Sequence, residues 1–231
     1  KHKKGRADKE RSKLFSKLSR EITVAAKLGD KNPEMNPRLR SAIQAAKQSN
    51  MPKDNISRAI NKSESSEGKN YDQLKYEAFG PNSTVLIIES LTDNKNRSAS
   101  SIRTVLQKKG GRLGETGSAK HLFFSCGIIR IKKIGIDDNK VLELTTSLDA
   151  KDFSINDDFY EIITEKENFY KIKVEIEKKI GEIIYSGLEW RAYNQIDLDS
   201  DQAKNFIDLL GKLDELDDVQ NIYTNVNLDE A

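Results

Sequence analysis

The sequence is short of the side chains from which catalytic and metal centres are most often assembled. Its 231 residues contain one cysteine, Cys126, and two histidines, His2 and His121. A single cysteine excludes an internal disulfide and fits a reducing compartment. No Cys or His spacing resembles a zinc site. Cys126 would need a basic partner to act as a nucleophile, and a small buried thiol is the simpler reading. Long hydrophobic runs are missing as well: none approaches the roughly 18 apolar residues of a membrane span. With 36% hydrophobic and 33% charged residues, the composition is that of a folded chain with modest cores. The first residue is Lys1 and not methionine, so a short preceding segment is expected.

The formal net charge of +2 conceals a division along the chain. Residues 1–62 carry 17 Lys and Arg against 6 Asp and Glu, whereas the remainder carries 22 against 31. A basic segment ahead of an acidic one points to a polyanionic partner for the former.

Several motifs that invite chemistry do not carry it. The stretch GGRLGETG, Gly110 to Gly117, has neither the GxGxxG spacing nor the Lys-Ser/Thr pair of a phosphate loop, and it follows a helical pattern. It reads as a turn. The pairs Asp137-Asp138, Asp157-Asp158 and Asp217-Asp218 lie near element boundaries and lack the alternating spacing of a calcium loop.

Periodicity predicts a helix over Arg11–Leu28, with Leu14, Phe15, Leu18, Ile22, Ala25 and Ala26 on one third of its circumference. Lys13, Lys17, Arg20 and Lys27 fall on the far side. Residues 1–12 read as a polar arm or a helix start. A second helix begins near Pro37 and shows Leu39, Ala42, Ile43 and Ala46. Asn50 is expected to cap a third, with Pro52 in its first turn and Ile56, Ala59 and Ile60 as apolar positions. Ser63 to Asn70 has linker composition.

Beyond the linker the period shortens. Strands are expected over Lys75–Phe79, Thr84–Leu91, Lys120–Phe124, Ile128–Lys133, Asp152–Ile155, Phe159–Thr164, Leu188–Tyr193 and Val219–Thr224. Helices are expected over Asn96–Lys109, Asn139–Leu148, Lys166–Lys178 and Ser200–Leu213. From Ile128 the order approximates β-α-β-β-α-β, that of a ferredoxin-like unit, with a helix and a strand left over. The loop TDNKNRSAS, Thr92 to Ser100, sets Asn94, Asn96 and Arg97 between a strand and a helix. Such groups can contact a phosphate or a base edge, or can simply cap the helix.

The segments KHKKGRADKERSKLFSKLSREITVAAKLG, NPRLRSAIQAAK and NMPKDNISRAI resemble the N-terminal domain of the YebC/PmpR family. So do YEAFGPN, LTDNKNRS, KKGGRLGETGSAKHLF and LDELDDVQNIYTN further along, in the same order. The resemblance implies an α+β chain with a three-domain fold. The helical N-terminal domain would span 1–70, an α+β domain 71–133 and 194–231, and a ferredoxin-like domain 134–193 would be inserted in the second. The family is known as cytoplasmic, DNA-binding transcriptional regulators. It is also linked to translation, as ribosome-associated factors that relieve stalling at proline-rich stretches, and its mitochondrial members include a translational activator of cytochrome oxidase subunit I.

The expected function is therefore non-catalytic binding of DNA or RNA through the basic N-terminal domain. The ribosome is a candidate partner. No cofactor, metal, membrane or small-molecule substrate is expected. Phosphate contacts are expected from Lys3, Lys4, Arg6, Lys13, Lys17 and Arg20, then from Arg38, Arg40, Lys53 and Arg58, supplemented by Asn94, Asn96 and Arg97. Reversing Lys13, Lys17 and Arg20 to Glu is expected to abolish binding and leave the fold intact. The connection between the second and third helices lacks a clear helix-turn-helix, and the third helix offers only Asn55, Arg58 and Asn61 to base edges. Backbone or shape recognition is thus favoured over base readout.

Overall fold

The structure, a computed structural model, describes residues 2–65 and 70–228, with side chains from Gly5 onward. The chain divides into two compact units, residues 1–120 with 194–231, and residues 121–193.

Three helices open the first unit: α1 (His2–Leu28), α2 (Pro37–Gln48) and α3 (Lys53–Asn61). Their shared core is made of Ile22, Ala25 and Ala26 from α1, Leu39, Ala42 and Ala46 from α2, and Met51, Ile56 and Ala59. Five alanines among these nine residues let the helices approach closely around few large side chains. α1 starts well ahead of Arg11, so the stretch read as an arm or a helix start is helix. Residues 5–12 are exposed all round. This stretch therefore rests on local terms, including the Arg6–Glu10 pair at 3.0 Å and one turn's separation, and not on packing.

The α1–α2 connection is tied by Asn36, which is buried. Its amide donates to the carbonyls of Ala25 at 2.8 Å and Asp30 at 2.7 Å, and its oxygen accepts the Leu39 N–H at 3.1 Å. Gly29 is required by this knot: a Cβ there would lie 2.7 Å from the Asn36 amide nitrogen. The role expected of Asn50 is corrected. It has φ +59° and ends α2, with the next N–H, that of Met51, returning to Ala46 O at 2.9 Å. α3 is entered through Pro52 without a side-chain cap, because a left-handed residue belongs after a helix and not before one.

The rest of this unit is one antiparallel sheet with two helices. It contains β1 (Asp72–Phe79), β2 (Val85–Thr92), α4 (Lys95–Lys108) and the two-residue β3 (Arg112–Leu113). After the inserted residues it resumes with α7 (Ser200–Asp214) and β8 (Val219–Thr224), and the strand order is β3-β1-β2-β8. Helices α4 and α7 supply Ile102, Leu106, Phe206, Leu209 and Leu213 to a core with Ala78, Leu86 and Ile88 of the sheet. Central strand β2 is buried along almost its whole length, which is why VLIIESLT reads as a near-continuous apolar run and not as an alternation.

The second unit contains β4 (Phe123–Lys132), α5 (Asp138–Ser147), β5 (Asp152–Ile155), β6 (Phe159–Glu165), α6 (Phe169–Lys179) and β7 (Ile183–Ala192). Its order β5-β6-β4-β7, antiparallel throughout, is the ferredoxin-like arrangement. β4 is one ten-residue strand where the sequence pattern gave two short ones. The apparent break, Ser125-Cys126-Gly127, is small for packing reasons: a Cβ on Gly127 would lie 2.4 Å from the Phe169 ring and 2.3 Å from the Thr164 hydroxyl. Because β4 is hydrogen-bonded to β6 and β7, the inserted unit begins near His121, ahead of Ile134.

Candidate nucleic-acid interface

Helix α1 has two packed faces. Opposite its contacts with α2 and α3, it lies against the α7–β8 turn, an acidic stretch that reads LDELDD from Leu213 to Asp218. Lys17 Nζ reaches the Asp214 carboxylate at 3.1 Å and the Asp214 carbonyl at 2.6 Å. The Lys13 ammonium donates to the Glu215 carbonyl. In return the Gln220 side chain donates to the Lys17 carbonyl at 3.3 Å. Burial draws the Lys17 ammonium below the ordinary lysine range, and the bond to Asp214 restores part of it.

At the centre of this seam stands Asp218, its side chain 9% exposed. One carboxylate oxygen accepts from Arg20 at 3.0 Å and from Arg97 at 2.9 Å. The other accepts from Arg97 Nε at 3.2 Å and from the Ser98 hydroxyl at 2.6 Å. Arg20 also donates to the Leu91 carbonyl at 2.7 Å and lies 4.6 Å over the Tyr71 ring. A single carboxylate thus joins α1, the start of α4 and the turn before β8. Burial pushes the Asp218 carboxyl up, but bonds from Arg97, Ser98 and Arg20 outweigh it and hold the group below the usual carboxylate range.

The residues predicted to meet phosphate are therefore placed in different surroundings. The Lys3 and Lys4 side chains lie outside the described residues. Arg6 is exposed and paired with Glu10. Lys13 is half-buried and, like Lys17 and Arg20, is turned onto the acidic turn. Arg38 forms a two-pronged pair with Glu21, at 2.8 and 3.2 Å. Arg40 donates to Pro33 O at 3.2 Å. Lys53 is exposed in the first turn of α3, and Arg58 is exposed on the same helix with its guanidinium on Asn55.

Asn94 is the N-cap of α4, accepting the Arg97 N–H at 3.0 Å, and Asn96 is exposed in the first turn. The structure brings Arg20 and Arg97 together on Asp218. It does not bring either of them to an exposed ridge with Lys13 and Lys17.

Cations not singled out from sequence complete the exposed surface. Lys9 and Arg11 are exposed on the free turns of α1, with Arg11 5.2 Å over the Phe15 ring. Lys47 and Lys62 are exposed at the ends of α2 and α3. No local feature of the sequence marks Asp218 as the partner of Arg20 and Arg97. Its motif and that of Arg97 are both distinctive, but nothing within either points to the other.

Two family models cover most of the chain. Residues 1–66 match the TACO1/YebC protein N-terminal domain, and residues 71–226 match the TACO1/YebC second and third domain. The chain belongs to the TACO1/YebC family. It is 51% identical over 227 residues to a probable transcriptional regulatory protein of Pelagibacter ubique, covering 98% of this chain and 94% of that one. It also matches the crystal structure of a conserved hypothetical protein from Aquifex aeolicus, with a TM-score of 0.85 and 38% identity over 94% of this chain and 90% of the other.

Among the described residues no group of three or more His, Cys, Asp or Glu is arranged to hold a metal ion, and no helix is long and apolar enough to cross a membrane. Cys126 is fully buried in β4, and burial pushes its thiol up to about 11. At neutral pH it is a thiol and not a nucleophilic thiolate.

Proposed function

We propose that this TACO1/YebC chain is a non-catalytic, nucleic-acid-binding regulator of gene expression, acting in the cytoplasm and gripping phosphodiester backbone through its N-terminal helices. The observation that carries the reading is the free end of α1. Residues 5–12 are exposed all round and include Arg6, Lys9 and Arg11, while the other half of α1 is fixed between α2, α3 and the acidic turn. A helix that projects cations from a fixed base meets a polyanion with little rearrangement. The relative from Pelagibacter ubique, named a probable transcriptional regulatory protein, agrees with this class of role.

Within the proposal the contacting set is Lys3, Lys4, Arg6, Lys9 and Arg11 on α1 with Lys53 and Arg58 on α3, where the N-terminal N–H groups of α3 also favour an anion near Lys53. Asn96 supplements them. Lys13, Lys17, Arg20 and Arg97 contribute by holding the helix in place.

The test is a binding titration of the full chain against a duplex DNA and a folded RNA of equal length, across a salt series. Affinity that falls linearly on a log–log plot against salt, for either polymer, supports the reading. No binding to either polymer at low salt would overturn it.

A folded RNA target, including ribosomal RNA, is the second reading. It is favoured by the scarcity of base-reading groups on α3: of Asn55, Arg58 and Asn61, the first two are bonded to each other. Sedimentation with ribosomes at near-physiological salt, lost after RNase, would favour RNA. Preference for promoter over scrambled DNA would favour transcription.

A further inference from the structure

The glycine-rich segment after α4 is built more firmly than a turn requires. Glu77, on β1 and 3% exposed, turns its carboxylate into the loop. There it accepts the backbone N–H groups of Gly117, Ala119 and Lys120, while its own carbonyl accepts the Gly114 N–H at 2.8 Å. Gly111 lies where a Cβ would be 2.6 Å from Phe79 O, and Gly114 where one would be 2.7 Å from the Phe79 ring. Gly117 adopts φ +88°. A carboxylate is thus buried, and three glycines are placed, to hold a surface loop in one shape. Connecting a two-residue edge strand to the next element demands none of this.

What the loop presents is cationic. Arg112 lies 4.6 Å over the Phe79 ring, which supports the flat of the guanidinium and leaves its N–H edge for an anion. Lys120 is exposed at the far end of the loop, and Lys108 is exposed in the last turn of α4. The end of α4 belongs to the same corner, since the Gly111 N–H returns to Leu106 O at 2.8 Å. Lys109 is committed elsewhere, on Asp208 of α7. Among the described residues neither Lys108 nor Lys120 has a carboxylate partner, and Glu115 is the loop's own acid.

We propose that the loop Arg112–Lys120 and the adjoining end of α4 form a second contact for the phosphodiester backbone of nucleic acid, with Lys108, Arg112 and Lys120 as its phosphate ligands. The proposal rests on the nucleic-acid-binding reading above and extends its footprint. α4 runs from the Asp218 cluster at its first turn to this loop at its last, a span of about 20 Å for fourteen residues at 1.5 Å each. Both contacts belong to one compact unit, so a bound strand or folded RNA would span a fixed distance between them.

The experiment uses the full chain with a fluorescein-labelled RNA hairpin and a duplex DNA of equal length, read by anisotropy across a salt series. Four proteins are compared: wild type, Lys9→Glu/Lys53→Glu, Arg112→Lys, and Lys108→Glu/Lys120→Glu, the two positions of the last being exposed. The loop variant is expected to bind at least tenfold more weakly, with unchanged Tm and a salt slope smaller by about one to two units. Arg112→Lys, which keeps the charge and loses the flat stack, is expected to weaken binding about threefold. If wild type binds and Lys9→Glu/Lys53→Glu weakens it while the loop variant matches wild type, the second contact is overturned and the first stands. If wild type binds neither polymer, the underlying reading falls as well. If polyglutamate displaces the hairpin as readily as unlabelled RNA of equal charge, the surface is an acidic-protein dock and the proposal fails.

Discussion

The Arg20 guanidinium lies 3.0 Å from the Asp218 carboxylate, a contact between residues 198 positions apart. It converts the charge division of the sequence into an internal one. Part of the N-terminal excess of cations is neutralised by the acidic turn before β8, within the same unit, and only the remainder faces outward. The polyanion inferred from composition is therefore partly the protein itself.

Asp218→Asn would leave the buried side of Arg20 without its counter-charge. The expected loss is about 3 kcal/mol, or roughly 6–12 °C in Tm for a chain of this size, measured by thermal unfolding at neutral pH.

The same carboxylate makes the domain seam acid-sensitive. Its folded pKa is held below the unfolded value, so its contribution is fully present above about pH 4 and is lost as pH falls through the folded value. Stability measured from pH 6 down to pH 2 should fall less steeply in Asp218→Asn than in wild type. Parallel curves would show that the cluster does not couple protonation to folding.

Charge reversal at Lys13, Lys17 and Arg20 is expected to disturb the fold, since all three side chains are bonded to the acidic turn. It would set glutamates against Asp214 and Asp218, and the triple variant should lose the docking of α1 and become susceptible to protease between the helical domain and β1. Lys17→Met, which keeps the packing and removes a largely buried charge, should change stability by no more than about 1 kcal/mol. Limited proteolysis and thermal unfolding of the two variants separate these outcomes.

Glu77→Gln should free the loop it organises. Burial raises the Glu77 carboxyl, and the N–H groups of Gly117, Ala119 and Lys120 more than offset this, so the group sits below the ordinary range. The amide can accept at one oxygen only, and a cost of about 1–3 kcal/mol follows. Hydrogen exchange at those three amides should accelerate in the variant, and in wild type it should accelerate as pH falls through the lowered Glu77 pKa, after correction for intrinsic rates.

Gly127→Ala should destabilise the ferredoxin-like unit by about 1–3 kcal/mol, because the new methyl meets the Phe169 ring and the Thr164 hydroxyl in a filled core. Denaturant unfolding followed at Trp190, which lies on β7 in the same sheet, reports that unit. An unchanged midpoint would show that the core can shift to admit the methyl.

Local patterning in the chain sets the order of elements and their division into helices and strands. Ile22, Ala25 and Ala26 at helical spacing, the short apolar runs from Lys75 onward and the β-α-β-β-α-β order after Ile128 all follow from local patterning, which depends on neighbours within a few residues. Where small residues served packing and not turning, as at Ser125 to Gly127, local reading broke one strand in two. Which cations face solvent is a matter of tertiary structure alone. Lys17 and Lys53 look alike in sequence, each a lysine on a polar helical face. One is turned onto Asp214 and the other onto solvent, because the far side of a helix is exposed only if nothing from elsewhere in the chain packs there.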